Sequence, residues 1–133
     1  MAIVLDADVI IRGEKGKFPL AAWLAAKSDE TFEVAAITVA ELWHGVERAT
    51  GSHKTARQRY LGELLTALPV IPYTEETAFQ HARIWARLTV SGNMIGYYDL
   101  IVAATAIERG SQLATFNTSH FNRIKGLRLV KLT

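Results

Sequence analysis

The chain has 133 residues, a length that fits one domain in which about two-thirds of the unfolded surface is buried. Hydrophobic residues make up 50% and charged residues 21%, which excludes a disordered or fibrous chain. Cysteine is absent, and this excludes thiolate zinc sites, disulfide frameworks and cysteine nucleophiles. The net charge of +2 is too small to indicate a nucleic-acid partner by itself.

The first residues show no pattern typical of export or membrane insertion. Residues 1–5 carry no basic side chain, and Asp6 follows them too early for a signal peptide. No apolar run approaches the roughly 18 residues of a membrane span. We therefore expect a cytoplasmic protein with no membrane partner.

Short apolar runs alternate with helical patterns along the chain. In order, strands are predicted at residues 3–5, 32–37, 70–71, 113–116 and 127–130. Helices are predicted at residues 20–26, 39–49, 56–68, 75–90 and 100–109, the last closed by Gly110. No repeat or linker divides the sequence. The prediction is one domain over residues 1–133, an α/β fold built as a three-layer α/β/α sandwich around a parallel sheet.

Acidic residues stand where predicted strands give way to helices. Asp6 and Asp8 follow the first strand, Glu41 lies just after the second, and Asp99 opens the most apolar helix. Each could serve only as a helix cap, and Thr38 with Glu41 has the spacing of a capping box. The carboxyl ends of parallel strands meet at one edge of a sheet, however, so these acids are expected to converge there.

Converging carboxylates repel one another by about 4 kcal/mol at ~4 Å and an effective dielectric of ~20. A divalent cation relieves that repulsion, and oxygen ligands favour Mg²⁺ or Mn²⁺. Such an ion activates water and stabilises negative charge on a phosphate. The acids therefore indicate cleavage of phosphodiester bonds. A di-iron site is a competing interpretation, because Glu41 and His44 have Glu-x-x-His spacing, but the sequence has no second copy.

Four motifs in order resemble the PIN-domain ribonucleases, in particular the VapC-type toxins. They are Ile3-Val4-Leu5-Asp6, Thr38-Val39-Ala40-Glu41, Tyr98-Asp99-Leu100-Ile101-Val102-Ala103-Ala104-Thr105-Ala106 and Leu113-Ala114-Thr115-Phe116-Asn117. Residues 121–127 are similar to the closing segment of the family, so the likeness covers nearly the whole chain. The resemblance implies a single PIN-like nuclease domain that uses Mg²⁺ or Mn²⁺ to cleave RNA.

The resemblance also implies roles for individual residues. Asp6 and Asp99 would bind the metal directly, and Glu41 would be a ligand through water or would orient the attacking water. Asn117 would complete the catalytic set. Thr115 and Arg12 would support the site and engage the substrate, which is expected to be single-stranded RNA.

The chain departs from the family pattern at two places. The family often has Asn or Ser where this sequence has Asp8, and often a fourth acid near Asn117 or His120. Asp8 would restore the missing charge or would simply cap the helix, and the local sequence favours capping. The sequence leaves open whether Asp8 or His120 belongs to the site.

The resemblance further implies two protein partners, a second copy of the chain and a cognate antitoxin that lies across the active face. An apolar groove for the antitoxin could be formed by Trp43, Val46, Leu61 and Leu65, although this spacing also fits a buried core. RNA could be bound by Arg12, by Arg48 or by the basic cluster of Lys54, Arg57 and Arg59.

Two other functions remain open at this point. Asp6-Ala7-Asp8 after an apolar strand also fits a haloacid-dehalogenase-like phosphatase, with Asp6 as nucleophile and Asp8 as general acid. Alternatively the chain could be a non-catalytic α/β domain that binds RNA or protein and uses its acids only as caps.

Overall fold

The computed structural model describes residues 1–132 and contains five strands and seven helices. The strands are β1 (Ala2–Leu5), β2 (Thr31–Ala35), β3 (Val70–Ile71), β4 (Gln112–Ala114) and β5 (Leu129–Val130). The helices are α1 (Ala7–Glu14), α2 (Leu20–Ala26), α3 (Ala36–Arg48), α4 (Gly51–Thr66), α5 (Glu75–Ser91), α6 (Tyr97–Arg109) and α7 (Thr118–Phe121).

The strands form one parallel sheet in the order β3-β2-β1-β4-β5. The central strand β1 is flanked on both sides, with Ile3 opposite Phe32 of β2 and Gln112 of β4. All strands point the same way, so the residues after β1 and β4 meet at one edge. The predicted parallel sheet is confirmed.

Both faces of the sheet are covered, which explains why β1 reads as a continuous apolar run. Ile3 and Leu5 pack into a core on one face, together with side chains of α1, α3 and α4. Val4, between them, packs into a second core on the other face with Leu100 of α6 and Phe121 of α7. Full burial of each such side chain stabilises the fold by about 1.5–3 kcal/mol. The predicted three-layer α/β/α sandwich is thereby confirmed.

The capping box predicted for Thr38 and Glu41 is wrong. Helix α3 begins at Ala36 and its N-cap, Ala35, makes no side-chain hydrogen bond. Thr38 therefore lies inside the first turn, fully buried, and Glu41 lies in the second turn. Strand β2 ends at Ala35, two residues earlier than predicted, because the helix takes over the apolar residues that follow.

Helix α6 is held against the sheet by an ion pair between the buried carboxylate of Glu33 and the exposed guanidinium of Arg109. Glu33 of β2, only 5% exposed, accepts hydrogen bonds from the Arg109 guanidinium and, at 3.2 Å, from the Ser111 hydroxyl. The predicted C-cap Gly110 is confirmed, with the positive φ of 66° that glycine tolerates. These contacts fix the C-terminal end of α6, and its N-terminal end carries Asp99.

Among residues 1–132, none of the helices is both long enough and apolar enough to span a membrane.

Candidate active site

Asp6 lies at the point where β1 passes into α1. It is the N-cap of α1, and its Oδ1 accepts a hydrogen bond from the backbone N–H of Ala7 at 2.9 Å. Its Oδ2 accepts a hydrogen bond from the hydroxyl of Thr115 at 2.8 Å. The side chain is buried, with 6% exposed. Asp6 is thus fixed between the ends of the adjacent strands β1 and β4.

Asp8 does not cap α1, contrary to the preference of the sequence analysis, because Asp6 holds that position. The Oδ2 atom of Asp8 instead accepts a hydrogen bond from the backbone N–H of Phe116 at 3.0 Å and lies 3.3 Å from Oγ1 of Thr115. Its Oδ1 is buried and has no hydrogen-bond partner among the described residues. Asp8 is therefore a second carboxylate beside Asp6 with one oxygen to offer.

Thr115 organises this pair of carboxylates. It follows β4, is 2% exposed, and its Oγ1 accepts a hydrogen bond from the backbone N–H of Asn117 at 3.0 Å while its hydroxyl donates toward Asp6 and Asp8. A side chain that is this buried, and whose hydroxyl already makes these hydrogen bonds, cannot contact a substrate. The expected role of Thr115 in engaging substrate is therefore replaced by one in positioning the two aspartates.

Asp99 lies in the first turn of α6, whose N-cap is Gly96, so Asp99 is not the cap either. Its Oδ2 is 3.1 Å from Nδ1 of His120, and the same nitrogen is 2.9 Å from the side-chain amide of Asn117. A hydrogen on Nδ1 that is donated to Asp99 requires that Asn117 present its amide oxygen. Asn117 and His120 thus form a chain of contacts that ends on Asp99.

Glu41 reaches the same edge from α3. Its Oε1 is buried without a hydrogen-bond partner among residues 1–132. Burial raises the pKa of Glu41, and the nearby charges of Asp99 and Asp8 raise it further. Glu41 and Asp99 also line one shallow pocket, together with Gly96, Tyr97 and Tyr98. Asp6, Asp8, Glu41 and Asp99 are hereafter called the carboxylate cluster.

The electrostatics of the cluster are dominated by burial and mutual repulsion. Burial, followed by the charge of Asp8, raises the pKa of Asp6 to about 7 despite the hydrogen bonds from Thr115 and Ala7, and Asp99 adds to the rise. Burial also raises the pKa of Asp8, although the positive charge of Arg12 opposes this. Such a cluster is fully ionised at neutral pH only when a cation compensates it.

Arg12 stands at the rim of the site. Its side chain is exposed, and its guanidinium carbon lies 4.2 Å from the centroid of the Phe116 ring, within cation–π distance. The stacking holds the charge close to Asp8. Arg12 is therefore a positively charged side chain that is placed to bind a phosphate at this edge of the sheet.

The residues present fit a hard divalent cation. Their donors are carboxylate oxygens, and two of these, on Asp8 and Glu41, are buried without partners. Within residues 1–132, no three acidic or histidine side chains form a ready ligand set around one point. Mg²⁺ needs no such set, because it is commonly bound by one or two carboxylates and keeps several waters.

The sequence predicted that Asp6, Glu41, Asp99 and Asn117 would meet at this edge of the sheet, and the structure places them there, but the prediction undervalued Asp8 and His120. Asp8 was assigned to capping because its contacts come from residues more than a hundred positions away. His120 was noted only as a position, like Asn117, near which the family often has an acid. Their three-residue spacing in a segment that the structure folds as α7 is the signal that could have paired them.

The predicted apolar groove is wrong. Val46 and Leu61 are fully buried, and Trp43 and Leu65 pack against the same core. They therefore stabilise the layer formed by α1 to α4. This is the alternative that helical spacing of apolar residues usually indicates.

The geometry also argues against the other functions considered. A haloacid-dehalogenase-like phosphatase needs an acidic pair after a later strand, whereas the residues that follow β4 are Thr115, Phe116 and Asn117. A domain that used its acids only as caps would not gather the half-buried Asp8, Glu41 and Asp99 beside one another, and none of these three is an N-cap.

Comparison with known proteins gives a consistent result. The family description "PIN domain" matches residues 3–127. A curated relative, "VapC ribonuclease Y4jK" of Sinorhizobium fredii, is 39% identical over 90% of this chain and 89% of its own length. "Ribonuclease VapC1" of Rickettsia felis is 30% identical over 100% and 98% of the two chains. In the solved structure of VapBC2 from Rickettsia felis bound to a promoter DNA fragment, one chain superposes with a TM-score of 0.90 at 26% identity, covering 98% of each chain.

Proposed function

The chain belongs to the PIN-domain family, and we propose that it is a metal-dependent endoribonuclease that acts as the toxin of a toxin–antitoxin pair. The observation that carries the proposal is the carboxylate cluster at the carboxyl edge of the parallel sheet. Relatives that share nearly the full length of the chain are named ribonucleases. A hard cation held by carboxylates is the group that phosphodiester cleavage requires.

We propose that Asp6 and Asp99 hold the cation, which supplies positive charge to activate water and to stabilise the charge that develops on the phosphate. Asp6 is fixed by Ala7 and Thr115, and Asp99 by His120, so neither carboxylate needs to reorganise. The unpartnered oxygen of Glu41 can accept a hydrogen bond from the attacking water. The raised pKa of Glu41 suits it to accept a proton.

The other residues of the site support these three carboxylates. Asp8 adds negative charge and an unpartnered oxygen beside Asp6. Asn117 and His120 orient Asp99, so Asn117 acts through another residue rather than on the substrate itself. Arg12 binds the phosphate next to the cleaved bond, since its charge is exposed at the rim.

Mg²⁺ is the proposed ion because the donors are all hard oxygens and no histidine nitrogen is placed among the unpartnered atoms of the cluster. Mn²⁺ has similar preferences and is expected to substitute. Cleavage assays with either ion distinguish them by the concentration that gives half-maximal rate.

The proposed protein partners are an antitoxin and a second copy of this chain. A cationic side chain of the antitoxin would neutralise the carboxylate cluster and block it. A second copy would cover the aromatic face formed by Tyr73, His81, Trp85 and Tyr97, whose rings contact one another in that order. Trp85 is 43% and Tyr97 68% exposed, which is unusual for a continuous patch on a monomer. An RNA substrate and the lack of cysteine suit the reducing cytoplasm as the compartment.

The experiment that tests the function compares the chain with its Asp99→Asn variant. Purified protein is incubated with single-stranded RNA and Mg²⁺, with and without EDTA, and the same pair is expressed in a bacterium without antitoxin. We expect the wild type to cleave RNA and arrest growth, and the variant to lose at least about 100-fold in rate. Equal cleavage by both proteins, or cleavage that survives EDTA, would contradict the proposal.

A further inference from the structure

A second pocket opens on the side of the α5 and α6 layer. It lies between the last turns of α5 and the segment that follows α7. Its lining consists of Ile84, Arg87, Leu88, Ser91, Arg123, Ile124 and Lys125. The three aliphatic side chains are buried and form a floor, the three cationic side chains are exposed around it, and no acidic residue takes part.

The positive charge of this pocket is available to a ligand. The ion pairs found within residues 1–132 involve other side chains and leave Arg87, Arg123 and Lys125 out. Arg123 uses one N–H group to hold the carbonyl oxygen of Met94 at 3.0 Å, which leaves its remaining donors free. The Ser91 hydroxyl donates to the carbonyl of Leu88, so the three cations are the donors that remain.

The pocket and the carboxylate cluster are joined by the short helix α7. His120 on α7 contacts Asp99 at 3.1 Å, and Arg123 follows three residues later, its backbone N–H bonded to the carbonyl of His120. Three residues of chain span at most about 11 Å, so the backbone of Arg123 lies close to that of His120. Arg123 also contacts the loop that leads into α6. The pocket therefore lies beside the carboxylate cluster, on the side of His120 and α7.

The chemistry of the pocket matches a nucleic-acid strand. A carboxylate cluster repels phosphate groups, so a polyanion must be held by cations beside it. An aliphatic floor with a cationic rim accepts a base or ribose on the floor and phosphates at the rim. We propose that Arg87, Arg123 and Lys125 bind the phosphates of the RNA strand next to the cleaved bond, an inference that rests on the proposed function.

The test measures RNA binding in the Asp99→Asn background, so that the RNA stays intact. Affinity for a short fluorescein-labelled single-stranded RNA is followed by anisotropy over a range of salt concentrations. The pocket variant carries Arg87→Ala and Lys125→Ala and spares Arg123, which also supports a loop. The matched control carries Lys27→Ala and Arg128→Ala, the same change in charge at the opposite, amino-terminal edge of the sheet, where Lys27 precedes β2 and Arg128 precedes β5.

Each phosphate contact to a single strand contributes about 0.7 to the slope of log affinity against log salt concentration, so the pocket variant should lose about 1.4. Between about 50 and 200 mM salt, the parent should then lose about sevenfold more affinity than the pocket variant. The control should keep the parent slope. An unchanged slope in the pocket variant, or an equal loss of slope in the control, would overturn the proposal. If the wild type fails to cleave RNA, the proposed nuclease activity is refuted. The proposed RNA binding by the pocket is not, since binding is measured in a separate assay.

Discussion

Replacing Asp6 by asparagine should stabilise the metal-free protein at neutral pH while abolishing cleavage. Asparagine keeps an oxygen to accept the N–H of Ala7 and gains an amide that can donate to Oγ1 of Thr115. The substitution therefore preserves shape and hydrogen bonding and removes only a buried charge that faces Asp8 and Asp99.

The size and sign of the effect follow from the pKa of Asp6, which rises from 3.8 to about 7 in the folded chain. Below about pH 4 the group is protonated in both the folded and unfolded states and costs nothing. As the pH rises toward 7 the unfolded chain releases its proton first, so the free energy of unfolding falls. Each pH unit of difference corresponds to about 1.4 kcal/mol, so the wild type should lose about 4 kcal/mol by about pH 8.

Urea unfolding in EDTA at a series of pH values measures this contribution as the difference between wild type and Asp6→Asn. The difference should be small near pH 4 and should grow in favour of the variant up to about pH 7–8. Asp29→Asn, which changes an exposed carboxylate away from the cluster, is the control and should leave the pH profile unchanged. A variant that is destabilised by the same amount at every pH would refute the reasoning.

Three further outcomes are expected. Thr115→Val should lower the free energy of unfolding by about 1–3 kcal/mol in urea and slow cleavage, because Asp6 and Asp8 lose a shared buried donor. Thr115→Ser keeps the hydroxyl, so its free energy of unfolding and its cleavage rate should stay near those of the wild type. Mg²⁺ at about 100 times its dissociation constant should stabilise the wild type by about 2.7 kcal/mol in thermal unfolding. An equal gain in the Asp99→Asn variant would contradict the proposal that Asp99 binds the metal. Trp85→Glu should convert a dimer to a folded monomer in light scattering, and a dimer that persists would place the second copy elsewhere.

The sequence was sufficient for the fold where patterns are local. Continuous apolar runs indicated strands covered on both faces, and Gly110 marked the end of α6. Boundaries failed where tertiary burial overrode local signals. The sequence pattern indicated Thr38 as an N-cap. In the structure Ala36 and Ile37 already belong to α3, so Thr38 lies fully buried inside the first turn of that helix.

The site was predictable to the extent that topology dictates it. Parallel strands bring their carboxyl ends together, so acids that follow β1 and open α6 could be expected to meet. The role of Asp8 could not be predicted in this way. Its hydrogen-bond partners, Thr115 and Phe116, are brought to it only when β1 pairs with β4. The basic pocket beside α7 was likewise beyond the sequence, since α5 and the residues after α7 approach each other only in the folded chain.

Capping and catalysis are not alternatives at Asp6, although the sequence presents them as such. One oxygen of Asp6 caps α1 and the other accepts from Thr115, and together these contacts fix the carboxylate where repulsion from Asp8 would otherwise displace it. The cap stabilises the negative form, which burial opposes. The fold thus uses an ordinary helix start to keep an unfavourable charge in place, and a cation that binds the cluster recovers the stability that the charge costs.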